Sequence, residues 1–294
     1  MVMTIFSVFL LVGEVNGETW NLVNSQGFHW DVAYGDGLFV AVGDNGLIKT
    51  SPNGEAWTTR NSGTILSLRG VTYSEDHGLF VVVGYNGLIL TSPNGIYWTK
   101  RQSGTTVNFW GVGCGNHRVV VVGDSGAIYT SYNCTSWTQR TSGVTKRLYD
   151  VAFCSNIDGG VFVVVGASGT LLKGSLDAIS WARKSTPLYN LYLYGVASDC
   201  IDFFVVVAQY GRTMTSNTGN TWTQTRWGVH DHLYGVTYGS SQFIAVGYNG
   251  DILSSPNGAS WVEESSPTID QLRGVAYGNS RFVAVGQDVI VYSD

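Results

Sequence analysis

Short apolar runs alternate with polar turns rich in Gly, Asn and Ser along most of this chain, and no stretch shows the period of about 3.6 residues that marks an amphipathic helix. The segment Leu68 to Gly104 displays the unit. Leu68 to Tyr73 reads as a first strand, and Gly78 lies in the turn before Leu79 to Val83, the second. Tyr85-Asn86-Gly87 carries the Asn-Gly signature of a turn that needs positive φ, Leu88 to Thr91 is a third strand, and Tyr97 to Arg101 is a fourth. The unbroken apolar run of the second strand, rich in β-branched residues, predicts a strand covered on both faces.

The unit repeats. Ser51 to Trp57, Ser-Pro-Asn-Gly-Glu-Ala-Trp, returns at Ser92 to Trp98 and Ser255 to Trp261, and looser copies run from Ser131, Ser175 and Ser216 to Trp137, Trp181 and Trp222. The intervals between the closing Trp residues are 41, 39, 44, 41 and 39, a spacing that matches one four-stranded propeller blade. Seven first-strand motifs follow one another: Trp30-Asp31-Val32, Arg69-Gly70-Val71, Trp110-Gly111-Val112, Tyr149-Asp150-Val151, Tyr194-Gly195-Val196, Tyr234-Gly235-Val236 and Arg273-Gly274-Val275. The last repeat stops at Ser293-Asp294, and Asn16 to Trp20 supplies what it lacks. These patterns predict an all-β fold over residues 18–294: a seven-bladed β-propeller with four-stranded antiparallel blades, its last blade closed by the N-terminal strand Glu18 to Val23.

Residues 1–17 differ from the rest. The apolar run Ile5 to Val12, followed by Val15-Asn16-Gly17, reads as a secretory leader, with an extra strand as the alternative. The run is too short to span a bilayer as a helix. Four cysteines fit an oxidising compartment, and the blade topology places them at one end of the propeller. The first expected pairing is Cys154 with Cys200, leaving Cys114 with Cys134. Asn133-Cys134-Thr135 is a glycosylation sequon. A net charge of −5 provides no basic field for nucleic acid or an anionic membrane, so neither is an expected partner.

The pattern Ser-x-Asn-Gly-x-x-Trp resembles the Asp-box of bacterial neuraminidase repeats, with Asn in place of the usual Asp and Gly directly after it. The longer pattern Gly-Val-Ala-Tyr-Gly-x-x-x-Phe-Val-Ala-Val-Gly is similar to repeats of bacterial secreted propellers and of photosystem II assembly-factor-like propellers. The resemblance implies the propeller fold and leaves function open, because such repeats serve sialidases, xyloglucanases, assembly factors and adhesive proteins. Within the box, Asn53 can accept a backbone N–H two residues on, Ser51 can bond across the turn, Gly54 supplies positive φ and Trp57 packs a large ring. These are fastening devices.

Catalytic chemistry is thinly represented. Sialidase chemistry would need an arginine cluster, but Arg60, Arg101 and Arg140 each follow a box Trp by three residues, which assigns them to blade edges. Six Glu occur, none in a first strand, so a pair of glycosidase carboxylates is hard to assemble from them. Asp31 and Asp150 replace the Gly of the other first strands and are candidate channel carboxylates, able to hold a cation or water. His230-Asp231-His232 has His-x-His spacing without further ligands nearby, and no metal, cofactor or catalytic residue is assigned. The candidate ligand-binding set is the residue before each first-strand Gly or Asp: Trp30, Arg69, Trp110, Tyr149, Tyr194, Tyr234 and Arg273. All are aromatic or Arg, types that stack on sugars or anchor protein interfaces. The turns at Asp44, Tyr85, Asp124, Gln209 and Tyr248 should lie at the same end. The sequence reading is therefore a secreted, non-catalytic, lectin-like propeller binding a glycan. The alternatives are a scaffold or assembly factor binding a protein, and a glycosidase-like enzyme.

Overall fold

The computed structural model describes residues 18–201, 203–225 and 231–294; the expected leader and His230 lie outside the described residues. The repeat unit is built as its pattern predicts. Leu68–Ser74 pairs antiparallel with Leu79–Gly84, which pairs with Ile89–Ser92, which pairs with Thr99–Arg101. No helix among the described residues is long and apolar enough to cross a membrane.

The expectation of seven blades is corrected by the hydrogen-bonded sheets, which number six among the described residues. Five contain four strands each, and the sixth contains six. The physical reason is the strand Trp20–Gly35, which runs without a break through two pairings. Its first part, Trp20 to Asn24, pairs with Val289 to Ser293, and its last part, Asp31 to Gly35, pairs with Leu38 to Val42. The first and last repeats thus share one blade that also joins the two ends of the described chain. The repeats count motifs in the sequence, whereas the sheets count continuous hydrogen bonding.

The inner strands of successive repeats contact one another in a closed circle and line a central channel. Their packing follows from the repeated Tyr and Phe. Tyr73 faces Phe80 across its strand pair with ring centroids 4.8 Å apart, and Tyr34–Phe39, Phe153–Phe162, Tyr238–Phe243 and Tyr277–Phe282 repeat the arrangement. Each of these second-strand Phe residues is fully buried. The aromatic ring of one repeat lies on a Gly at the end of the preceding inner strand. A Cβ at Gly35 would collide with Tyr73, and one at Gly278 with Tyr34.

At the opposite end of the blades the box turns are closed locally. Ser51 Oγ accepts the N–H of Gly54 at 2.8 Å and donates to Asn53 Oδ1 at 3.1 Å. Asn53 Oδ1 in turn accepts the N–H of Glu55 at 3.1 Å, and Trp57 Nε1 donates to Gly54 O at 2.8 Å. Trp98, Trp181, Trp222 and Trp261 repeat the indole bond. In the third copy, Asn133 is exposed and its Oδ1 accepts the N–H groups of Thr135 and Ser136.

The disulfide expectation is also corrected: Cys114, Cys134, Cys154 and Cys200 are free thiols. The members of each expected pair are nevertheless neighbours, since Cys154 adds to the upward shift that burial gives Cys200, and Cys114 to that of Cys134. Cys154 is buried in an apolar cluster with Ile157, Val161 and Leu171, whereas Cys200 is exposed on a turn with φ 60°. Cys114 Sγ donates to the carbonyl of Tyr73 at 3.1 Å, and Cys134 occupies the buried Gly position of its box with φ 56°.

Candidate functional site

Each inner strand carries a bulge at the same end of the channel, at the residue that precedes its Gly or Asp. That geometry turns Trp30, Arg69, Trp110, Tyr149, Tyr194, Tyr234 and Arg273 toward the axis, and all of them line one cavity of about 180 Å³. Asp31 and Asp150 line the same cavity from below.

The ring is knit by stacking. The Arg69 guanidinium lies 3.7 Å from the Trp30 ring centroid, 4.4 Å from Tyr85 and 4.9 Å from Trp110. Arg273 stands 3.7 Å from Tyr234 and 5.0 Å from Trp30. Edge-on contacts continue from Trp110 to Tyr149, and Tyr194 joins Tyr149 to Tyr234, so the circle closes. The turns supply acceptors. Trp30 Nε1 donates to Asp44 Oδ1 at 2.9 Å, Trp110 Nε1 to Asp124 Oδ1 at 3.0 Å, and Arg69 Nη2 to the Tyr85 hydroxyl at 2.6 Å. Enclosure lowers the proton affinity of Arg69 and Arg273 and raises that of the Tyr194, Tyr234 and Tyr149 hydroxyls, with desolvation the leading cause in every case.

Two features of the ring separate candidate ligands. Trp30 is already engaged by two neighbours, Phe28 stacked at 4.4 Å and the Arg69 guanidinium 3.7 Å from its ring centroid, which reduces the ring surface left for a sugar. Arg69 keeps only 8% of its side-chain surface exposed, yet its Nε and Nη1 have no hydrogen-bond partner; Arg273 Nε is in the same position. Cationic donors buried without acceptors are costly, and the aromatic faces compensate only in part.

Asp31 and Asp150 are tied to backbone. Asp31 Oδ1 accepts the N–H of Val32 at 2.8 Å and Oδ2 that of Val71 at 2.9 Å; Asp150 binds Val151 and Val196 at the same distances. Every oxygen therefore has a donor, an arrangement suited to joining neighbouring inner strands. Burial pushes the Asp31 carboxyl up to about 7, with Asp150 adding to it, and pushes Asp150 up to about 6. Among the described residues no group of three or more metal-ligating side chains forms.

Other expected residues stand elsewhere. Arg60, Arg101 and Arg140 donate through Nε to Thr50, Thr91 and Thr130 at 2.8–2.9 Å, fastening outer strands far from the ring. His232 instead joins the rim, its ring centroid 6.1 Å from Tyr234 and 5.4 Å from Tyr210. Sequence reasoning missed a second tier, Phe28, Arg147, Tyr192 and His232, which lies two residues before the ring position. Alternation along a strand puts residues i and i+2 on one face, so that tier was open to the same argument. Arg147 packs 4.3 Å from Trp110 and pairs with Asp124.

The fold and the ring define the chain as a β-propeller with an arginine and aromatic channel mouth. No protein-family model matches it, and no curated protein matches it. Solved structures do. YCF48 from Cyanidioschyzon merolae aligns over 93% of this chain and 98% of its own at 16% identity, with a TM-score of 0.70. YCF48 bound to D1 peptide aligns over 95% and 96% at 14% identity and 0.72, and the WD40 β-propeller domain of Doa1 over 95% and 96% at 14% and 0.76. At these identities the likeness is one of fold.

Proposed function

We propose that this chain is a non-catalytic propeller that binds a protein partner, as a scaffold or assembly factor does, through the face carrying the channel mouth. The observation that carries the reading is Arg69, a cation almost wholly enclosed between two Trp rings with two nitrogens lacking acceptors. Such clustered Arg and Trp side chains are the typical anchors of protein interfaces. Exposed apolar residues on the loops that enter the inner strands, Ile65 at 87% and Ile269 at 85%, add contact area around the mouth. A structural neighbour, YCF48, is known bound to a D1 peptide, which favours a peptide ligand over a glycan. The contacts that Phe28 and Arg69 already make with the Trp30 ring weigh against sugar stacking, and the backbone ties of Asp31 and Asp150 weigh against a glycosidase pair.

A random peptide library displayed on phage, panned against the immobilised protein, tests this reading. Selected peptides should bind the native protein and lose roughly tenfold or more in affinity to Arg69→Met or Trp110→Ala, the loss expected of an interface anchor. Binding that survives both substitutions in folded protein, or a glycan array with hits where the library gives none, would overturn it.

A further inference from the structure

The two channel aspartates reveal what the inner surface of the channel accepts. Each carboxylate bridges the N–H of its own following Val and the N–H of the equivalent Val on the next inner strand, so Val32, Val71, Val151 and Val196 are all occupied. The remaining inner strands keep the same register: Val71 pairs with Val82, Val236 with Ala245 and Val275 with Ala284, each just after the bulge. Their N–H groups therefore point toward the channel as that of Val71 does. Among the described residues no side chain accepts from Val112, Val236 or Val275. Of these, only Val236 and Val275 lie on neighbouring inner strands. The residue that would bridge them is Gly235, which has no side chain.

We propose that the Val236 and Val275 N–H groups form a receptor for a carboxylate delivered by the partner, a side chain of Asp or Glu or a free C-terminus, seated as Asp31 and Asp150 seat their own. The proposal rests on the protein-binding reading above and names the chemistry of its ligand. The surroundings agree. Gly235, Val236, Gly274 and Val275 line the 180 Å³ cavity, and Arg273 and Arg69 line it with them. Both arginines share the cavity wall with these backbone groups, so an arriving anion meets positive charge beside the two N–H donors. Asp31 opposes it, because its Oδ1 lies 2.9 Å from the position of a Cβ on Gly274. The site thus selects a carboxylate that brings further contacts with the rim, rather than a free small anion bound tightly.

The test is amide NMR of the full chain with acetate as the probe and acetamide as its neutral isostere, at constant ionic strength. Acetate should shift Val236 and Val275 and acetamide should not; shifts elsewhere only, or equal shifts by both, overturn the site. Gly235→Asp supplies the carboxylate internally and should abolish the acetate response. Because a Cβ there comes within 2.6 Å of Arg273 O and can impair folding, Arg273→Gln serves as the second variant and should weaken acetate binding roughly fivefold to tenfold. An unchanged response in Arg273→Gln counts against the proposal. Library peptides with free and amidated C-termini, and a uronic-acid oligosaccharide, identify the source. Peptide binding indifferent to Gly235→Asp sinks the carboxylate site and leaves the protein-binding reading intact. Acetate and uronate binding without peptide binding does the reverse.

Discussion

The carboxylate of Asp31 crosses from its own inner strand to accept the backbone N–H of Val71 on the next, at 2.9 Å. Its other oxygen holds Val32, so one side chain closes two donors that would otherwise face the channel. Asp31→Ala removes both acceptors, and the expected cost is about 1–3 kcal/mol, the penalty for stranding donors in a mostly enclosed site. A urea midpoint at pH 5 checks it. Asp31→Gly, which restores the residue of most other repeats, should cost less, because the neighbouring strands can then approach as they do at Gly235.

Protonation of the same pair gives stability a pH dependence of definite sign. The Asp31 carboxyl is raised from 3.8 to about 7 and Asp150 to about 6, so the folded state binds protons more tightly than the unfolded chain. Their contribution is fully present below the unfolded value near 3.8 and is lost as pH rises through 6 and 7. Thermal midpoints of the Asp31→Asn, Asp150→Asn double variant should fall less than those of the parent between pH 5 and pH 8. An identical slope in both proteins would remove the pair as its source.

His29 acts in the opposite sense. It occupies the position held by Leu68, Leu148, Leu193, Leu233 and Leu272 in other repeats, is fully buried, and places Nδ1 3.1 Å from the Gly286 carbonyl. Desolvation lowers its pKa from 6.5 to about 4. Its contribution is therefore present above 6.5 and is lost as pH falls toward 4, an effect on the order of 3 kcal/mol. His29→Leu should blunt the loss of stability on acidification over that interval, measured by denaturant titration at pH 7 and pH 4.5.

The contact between repeats is steric and can be tested at Gly278. A Cβ at this position collides with the Tyr34 ring. Gly278→Ala must displace Tyr34 from Phe39, its partner at 4.7 Å, with an expected loss of about 1–3 kcal/mol typical of overpacking. Tyr34→Ala in the same background opens room for the new methyl group. The double variant should then lose less than the sum of the two single changes, which a double-mutant cycle would report.

Most of this architecture was legible from spacing. Strand order within a repeat, the local bonds of Ser51, Asn53 and Trp57, and the gathering of Trp30 through Arg273 at one channel end all follow from periodicity and turn chemistry, which act over a few residues. The blade count was not legible, because it depends on whether Asn24 to His29 breaks or continues a strand, and no local signal decides that. Thiol pairing failed for a related reason. Spacing placed the members of each expected pair near one another, but whether neighbouring thiols bridge depends on Cα separation and side-chain geometry, which spacing does not fix. The carboxylate ties of Asp31 were missed because its acceptor role required knowing that inner strands approach within bonding distance.

Free thiols in unequal surroundings predict unequal reactivity. Cys200 is exposed, Cys114 is half-buried, and Cys134 and Cys154 are buried. Burial pushes the Cys134 thiol up to about 11 and raises those of Cys114 and Cys200 as well, so none of these three is an activated nucleophile. A maleimide at pH 7 should label Cys200 first in the native protein. Cys134 and Cys154 should react only when the fold opens, at a rate that follows unfolding. The denaturation midpoint should be the same with and without a reducing agent, since no cross-link constrains the unfolded chain. Mass spectrometry of the labelled sites, with and without prior reduction, reads both outcomes: a gain of two labelled cysteines on reduction would mean that one pair is bridged and would overturn the free-thiol description.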